Sequence, residues 1–436
     1  MKKNFLLIFC ALLFNQINAQ TTLTSGISSK PLSVASSPEA VGISSERLKR
    51  IDNALNDLVV QNKLPGMVAL FTRNGQIVYQ KAFGYADFQT KKAMKTDDIF
   101  RIASMSKAIT STAVMMLYEE GKFSLDDPIS KFIPEFKNPK VLKSFKFSDS
   151  TYTTEPAKSE ITIRHLLTHT SGLGYGVIDG DERFNVMYKK AGIVDLYTTN
   201  PVKISDNIKK LAKLPLHHNP GEKFTYSEGL DVLGYFIEIV SGKSFDEYLR
   251  QHLFEPLGMS DTYFYLPDSK KDRLVYIHKP DSLQKWVRFP VTFYDPNYPI
   301  SGAKTFFSGG AGLSSTAKDY ATFLQMLLNG GTMNGKRFLS RTTVELLTAT
   351  NQTGNLFGGP NGDSFFSLGF SVISQNGEAK GNGSAGRFNW GGYFNTNYWA
   401  DPKEKIIMVL MKQTQAAPDG GSEAMFTRLI YQSIDD

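Results

Sequence analysis

Ser104 and Lys107 stand three residues apart where a helix-patterned apolar run begins, and that pair of side chains can do acyl-transfer chemistry. Ile109, Ala113, Val114, Met116 and Leu117 follow at helical spacing and Gly121 marks a stop, so the spacing predicts a helix over 104–120. Side chains three apart share a face, with Cβ atoms about 5–6 Å from one another. A serine hydroxyl needs a neighbouring base to become a nucleophile, and a helix N-terminus favours negative charge developing beside it. Ser104-Met105-Ser106-Lys107 thus offers nucleophile, proton acceptor and electrostatic support in one volume. By itself the four-residue pattern is common and more often marks a solvated helix face, so other segments have to carry the assignment.

Two segments can join it. Pro220-Gly221-Glu222-Lys223-Phe224-Thr225-Tyr226-Ser227 runs from a turn into a helix patterned by Leu230, Leu233, Phe236 and Ile237. Trp390-Gly391-Gly392-Tyr393 falls on an expected strand, where glycines let another group approach the backbone closely. Taken singly, Tyr226 reads as a half-buried aromatic at a helix start and the glycine pair as a tight bend. The histidines make weaker candidates. His165 and His169 share a face at i,i+4 and are expected to hydrogen-bond within the helical region. His217-His218 is expected in a loop before Pro220, and no His-Glu-x-x-His or cysteine completes a zinc site. Asp126 and Asp127 before Pro128 read as turn residues, and no Gly-x-Ser-x-Gly elbow occurs. No metal or cofactor is implied.

The elements that must position these residues come from both ends of the chain. Leu48, Ile51, Leu55, Leu58 and Val59 predict an amphipathic helix from Ser45. Strand-like runs at 67–73 and 76–82 are joined by Asn74-Gly75, the preferred filling of a two-residue hairpin turn. Runs at 366–373, 388–393, 397–400 and 406–412 read as further strands, and 422–432 as a closing helix. Between them the pattern is mostly helical, at 163–168, 228–240, 244–254 and 316–328. The expected fold is α+β: an antiparallel sheet flanked by helices and built from both ends (about 39–103 and 305–436), with a mostly helical lobe (about 104–304) inserted. A cleft between the two is the expected ligand site. Residues 144–160 and 270–304 read as loops, the second carrying Trp286, Phe289, Phe293, Tyr294 and Tyr298, which could roof a pocket.

Residues 1–19 read as a secretory signal: Lys2 and Lys3, an apolar stretch from Phe5 to Phe14 too short to span a bilayer, and Ala19 before the cut. The sole cysteine, Cys10, lies inside it, and the bulky Phe9 argues against a lipid anchor there. Export to the periplasm or medium is expected, with 20–38 a mobile mature N-terminus and 39–436 the folded domain. The formal charge of +7 is scattered among acidic residues rather than gathered in a basic run, so nucleic acid is not an expected partner. No stretch after the signal is apolar and long enough for a transmembrane helix.

In order and spacing, Ser104-x-x-Lys107, Tyr226-Ser227-Glu228 and Trp390-Gly391-Gly392 resemble the three active-site boxes of the serine β-lactamase and penicillin-binding protein superfamily, within its class C β-lactamase-like branch. Asp98 to Ala103, Gly121 to Pro128, His165 to Leu173 and Gly309 to Ser315 are similar to other segments of that family, so the likeness covers roughly 39–430. The resemblance implies that Ser104 is acylated, that Lys107 is its proton partner and that Tyr226 is the second member of the base. It implies oxyanion donors at the N–H groups of Ser104 and Tyr393, and substrate contacts at Trp390, Gly391, Gly392 and Glu228. Two departures bear on substrate. Trp390 stands where Lys-Thr-Gly is common, and Glu228 stands where an amide is usual. Both remove support for an anionic β-lactam or D-alanyl terminus and resemble the esterases of family VIII type. The expected function is an exported serine hydrolase of small-molecule esters. A β-lactamase or D-amino-acid peptidase acting on an amide is the alternative, and a non-catalytic binder of cell-wall peptides or small ligands is a third.

Overall fold

Asn74 (φ 53°) and Gly75 (φ 76°) both take the left-handed conformation that a two-residue hairpin requires, and they join β1 (Gly66–Arg73) to β2 (Gln76–Asp87). The protein is described here from a computed structural model covering residues 30–381, 383–418 and 420–436. The expected signal segment lies outside the described residues. Helix α1 (Ser45–Val60) precedes the hairpin, with Ser44 as its N-cap accepting from Arg47 N–H. From the other end of the chain come β3 (Ser364–Phe366), β4 (Ser371–Ile373), β5 (Phe388–Gly391), β6 (Asn397–Asp401) and β7 (Ile406–Met411). The sheet runs β2-β1-β7-β6-β5-β4-β3, all antiparallel, so the two ends of the chain meet at the β1–β7 pair. Within the stretch expected to be mobile, Ser33 and Val34 add a parallel edge strand on β2, which makes the sheet mixed.

β1 and β7 are apolar at nearly every position because both of their faces are covered. Val68, Leu70, Ile407, Val409 and Met411 face the large core, whereas Met67, Ala69, Phe71, Ile406, Met408 and Leu410 face a second cluster. This is the period-two alternation of a strand buried on two sides. α1 and the C-terminal helix (Ser422–Gln432) cover the second face; the helix Ala317–Leu328 covers the first. The large core continues into α2 (Ser106–Glu119) and α3 (Gly229–Ser241), which pack on each other. α2 is therefore buried nearly all round and shows no single apolar stripe, its polar Ser106, Thr110, Ser111 and Thr112 included.

Several sequence expectations shift. The α-helix begins at Ser106 rather than Ser104, after a 3₁₀ turn over Ala103–Met105. The run 366–373 is a hairpin and not one strand: Gly369 (φ 120°) lies in the connection between β3 and β4, where an added Cβ would meet Ser111 Oγ at 2.4 Å. Residues expected as loop at 144–160 belong mostly to a hairpin of Lys140–Lys146 with Thr151–Pro156. The segment 270–304 holds a short hairpin, His278–Pro280 with Trp286–Arg288, and a turn of helix at Tyr298–Ser301. Helices Glu182–Ala191, Ile204–Leu211 and Arg341–Thr348 were not anticipated. Among the described residues no helix is long and apolar enough to cross a membrane.

Candidate active site

Ser104 stands at a corner made by Ala103, whose φ of 45° is left-handed despite its Cβ. Such a conformation costs about 1–2 kcal/mol and needs surrounding structure to hold it. The support is visible on both sides. The strand Phe100–Arg101 pairs with Ser314–Ser315, and Ile102 N–H donates to Leu313 O at 3.0 Å. Arg101, fully buried, donates to Pro296 O at 2.8 Å and Val275 O at 2.7 Å, which ties the 270–304 segment behind the corner. After the corner, Leu313 N–H donates to Ser106 Oγ at 3.1 Å.

Lys107 projects from the first turn of α2 and is 2% exposed. Its ammonium reaches three oxygens: Ser104 Oγ at 3.2 Å, Tyr175 Oη at 2.8 Å and Gly310 O at 2.8 Å. The last contact explains the glycine-rich segment 309–315. A Cβ on Gly309 would meet Leu230 O at 2.3 Å, and one on Gly310 would meet Asp231 Oδ2 at 2.4 Å, so only a bare backbone can pass between α3 and the lysine.

Tyr226, just ahead of α3, lies with its ring centroid 4.6 Å from Lys107 Nζ, a cation–π contact. Its hydroxyl accepts from Trp390 Nε1 at 3.4 Å; among the described residues it makes no hydrogen bond to Ser104 or Lys107. The ring packs beside His169 at 4.6 Å, Tyr175 at 5.5 Å and Trp390 at 5.7 Å between centroids. His169 is buried and neutral: burial first, then the Lys107 charge, holds it well below the usual histidine range, and its Nδ1 accepts from Ser227 N–H at 3.2 Å.

β5 brings Trp390 and Gly391 beside the corner, and Gly392 seals the approach. An added Cβ on Gly392 would meet Thr396 Oγ1 at 2.2 Å and Ile102 O at 2.5 Å, whereas on Gly391 the nearest atom is Thr396 O at 3.2 Å. The two glycines are therefore unequal: Gly392 sets the distance between strand and corner. The N–H groups of Ser104 and Tyr393 donate to no other group among the described residues. They remain open to an incoming oxyanion. A pocket of about 440 Å³ opens here, lined by Ser104, Tyr226, Asn389, Trp390, Gly391, Gly392 and Tyr393 together with Ile178, Leu196, Tyr197, Asn397 and Glu423.

Glu228 is placed differently from the sequence expectation. It is 1% exposed and stands behind Lys107 beside Asp195 and Asp231, not on the pocket wall. Being next to Tyr226-Ser227 at the start of α3, it turns inward with the helix. Tyr175, Asp195, Asn397 and Glu423 were missed. The first two sit in stretches without periodicity; Asn397 was assigned to a strand and Glu423 to a helix for their patterns alone, although Asn397 Nδ2 donates to Glu423 Oε2 at 2.8 Å beside the pocket.

The aromatic segment neither roofs nor lines the pocket but packs behind it. Tyr294 and Tyr298 pack with Tyr197 and Phe394, with Phe289 and Tyr393 against the cluster. Trp286 instead donates its Nε1–H to Asn62 O at 3.0 Å, away from the site. The other histidines have local partners. His165 Nδ1 accepts from Thr162 N–H in a capping box, His217 Nε2 meets Asp179 Oδ2 at 3.0 Å, and His218 Nε2 meets Thr225 Oγ1 at 2.9 Å. A hydroxyl on a lysine, a second phenol and two open N–H groups at one pocket can together attack a carbonyl and hold the resulting oxyanion.

The profile of the Beta-lactamase family matches residues 51–432. Protein Rv1367c of Mycobacterium tuberculosis (strain ATCC 25618 / H37Rv) is 33% identical over 364 residues, covering 80% of this chain and 86% of its own. Esterase EstB of Burkholderia gladioli is 29% identical over 385 residues, covering 84% and 90%. The solved structure of EstCE1, described as a hydrolase with promiscuous acyltransferase activity, superposes with a TM-score of 0.71 at 25% identity, over 88% of this chain and 99% of that one.

Proposed function

The chain belongs to the Beta-lactamase family and is a serine hydrolase, and from that premise we propose that it hydrolyses uncharged carboxylic esters through an acyl-enzyme on Ser104. The observation that carries this reading is the contact of Lys107 Nζ with Ser104 Oγ at 3.2 Å, at a pocket whose described lining includes neither lysine nor arginine. β-Lactams and D-alanyl peptides bring a carboxylate to the site, which a cationic side chain would bind strongly. Here the position expected to supply that cation is Trp390, and the carboxyl-bearing residue at the pocket is Glu423. The kinship with EstB points the same way.

In acylation Ser104 Oγ attacks the ester carbonyl carbon while its proton passes to Lys107 Nζ, the group in hydrogen-bond contact, once that nitrogen has released one of its own. The N–H groups of Ser104 and Tyr393 hold the oxyanion. Collapse of the adduct breaks the C–O bond to the leaving group, which departs as the alcohol after taking the proton back. Tyr226, with its hydroxyl on Trp390 and its ring against Lys107, is our candidate for the second member of the base; to pass that proton on, its hydroxyl has to leave Trp390 for the reacting groups. Water then attacks the acyl carbon by the same route, releasing the carboxylic acid and restoring the serine. The kinship with EstCE1 supports an alcohol taking the place of water in this second half, which would transfer the acyl group instead. We also propose export, supported by the basic, apolar and small-residue order of residues 1–19; N-terminal sequencing of the product in the medium or periplasm should begin near Gln20.

The deciding experiment compares kcat/KM for a neutral short-chain ester, a cephalosporin and a D-alanyl dipeptide on one preparation. The ester should lead by at least tenfold. A lead by either anionic substrate would replace this reading with the β-lactamase or peptidase one.

A further inference from the structure

The catalytic pocket does not end at its polar side. Asn389 and Glu423 line it and also line a second cavity of about 990 Å³. Across β5–β6 Asn389 pairs with Trp399 of the second cluster, so its side chain stands on the face of the sheet that the C-terminal helix covers. Gly391, Asn389 and Arg387 follow at every second residue along that face, a track of about 13 Å leading out of the catalytic pocket. Ser371 of β4 pairs with Asn389 and widens the floor. The C-terminal helix forms the facing wall, where Glu423, Thr427 and Tyr431 recur at every fourth residue, about 6 Å apart. Floor and wall make a trough continuous with the pocket at Ser104.

We infer that this trough binds a hydroxyl-rich part of the ester, so that the substrates are acyl esters of a saccharide or similar polyol. The inference rests on the acyl-enzyme reading of Ser104 and names the substrate class for it. Three acids that line the trough already face cations: Asp363 meets Lys380 Nζ at 2.7 Å, Glu378 meets Lys403 Nζ at 2.7 Å and Glu404 meets Arg73 Nη2 at 3.6 Å. Arg387 is held over Trp399, its guanidinium carbon 5.2 Å from the ring centroid, and Trp399 stacks on Tyr431 at 5.4 Å and 7°. The side-chain amide of Asn389 makes no hydrogen bond among the described residues, so a donor and an acceptor stand ready at the junction. A ligand anion would lie beside Glu423, and a cation would lie beside Arg387 and Arg428. An alkyl chain would take water from Asn389, Arg387 and Ser371 without replacing its hydrogen bonds. A hydroxyl both donates and accepts, so a ring carrying several can serve carboxylate, amide and guanidinium together. The track of about 13 Å has room for more than one such ring.

Wild type should be given ethyl acetate, octyl acetate and a mono-O-acetylated cellobiose, all neutral esters of the same acyl group. The cellobiose ester should lead in kcat/KM by about tenfold, carried by KM, the gain from one or two added hydrogen bonds. Ala424 is exposed on the helix wall of the trough, where a bulky side chain can fill it. Ala424→Trp should erase the lead and leave ethyl acetate turnover within about twofold, as a surface substitution that keeps the fold does. No lead for the cellobiose ester in wild type, a lead for octyl acetate, or a cellobiose lead that survives Ala424→Trp would each overturn the inference. Saturation-transfer NMR of Ser104→Ala with cellobiose reads the trough without turnover. Transfer to the sugar protons is expected and should vanish when Ala424→Trp is added; no transfer in Ser104→Ala overturns the site. Failure of wild type to hydrolyse any ester while cellobiose still binds would instead sink the acyl-enzyme reading and leave the saccharide site standing.

Discussion

Lys107 Nζ lies 2.8 Å from the hydroxyl of Tyr175 and 3.2 Å from that of Ser104, so the phenol bonded to the lysine is not Tyr226. Burial holds Tyr175 well above the usual tyrosine range, with Tyr226 and the acids behind it reinforcing the effect. Tyr175 thus stays a neutral acceptor that fixes the ammonium. Tyr226, half-buried and tethered by Trp390, lines the pocket, whereas Tyr175 does not. On the proposed mechanism Tyr175 holds the lysine and Tyr226 relays the proton.

Tyr175→Phe removes a hydrogen bond to a charged group, a loss of about 1.5–3 kcal/mol. The expected outcome is a fall in kcat/KM of about 10–100-fold, carried by kcat with KM little changed. Steady-state kinetics on a neutral ester measure it. A loss below twofold would mean that Gly310 O and Ser104 suffice to place the lysine.

Gly392→Ala and Gly391→Ala should separate. A methyl on Gly392 collides with Ile102 O and Thr396 Oγ1 and must drive β5 away from the serine corner, displacing the Tyr393 N–H. Loss of one oxyanion donor typically lowers kcat by about 10²–10³-fold. On Gly391 the methyl has over 3 Å to its nearest neighbours, so about tenfold or less is expected there. Acylation rates from a stopped-flow burst give the comparison, and equal losses would refute the unequal roles.

His278 makes stability depend on pH. Burial, reinforced by Arg288 and opposed by Asp87, lowers it from 6.5 to about 4, and its Nε2 accepts from Phe88 N–H at 3.0 Å. Because the folded value is depressed, the unfolded chain binds the extra proton first. Stability is full above about pH 6.5 and is lost as pH falls towards 4, by up to about 3 kcal/mol. The neighbouring Ile277 belongs to the aromatic cluster that packs on Tyr393 behind the pocket, so ester turnover should fall over the same window. Tm against pH measures the effect; His278→Gln, which can accept the same N–H without titrating, should flatten the slope. An unchanged slope would remove His278 as its source.

What the sequence made legible follows the range of the contacts. Ser104 and Lys107 are three residues apart, and helical spacing alone brings them together. The Asn74-Gly75 turn is equally local. Tyr226 and Trp390 converge on the same corner although 164 residues apart, and nothing but family likeness linked them beforehand. Glu228 was misplaced because its direction depends on how α3 is rotated against α2 and the 193–198 loop, which no local pattern encodes. Most of the hairpin at 140–156 fell within the stretch 144–160 read as loop, because it is largely exposed and carries no apolar alternation to reveal it. Residues 366–373 read as one strand because Phe366, Leu368, Phe370 and Val372 alternate with small or polar residues, a pattern that hides the turn at Gly369, which packs on Ser111.

The central claim is a covalent acyl group on Ser104. Wild type, Ser104→Ala and Lys107→Ala should each be treated with a fluorophosphonate and with a slowly deacylating neutral ester, then measured by intact and peptide mass. A single adduct on the Ser104 peptide of wild type, absent from Ser104→Ala and formed at least about a hundredfold more slowly in Lys107→Ala, is the predicted result. An adduct on another residue, or ester turnover undiminished in Ser104→Ala, would contradict it.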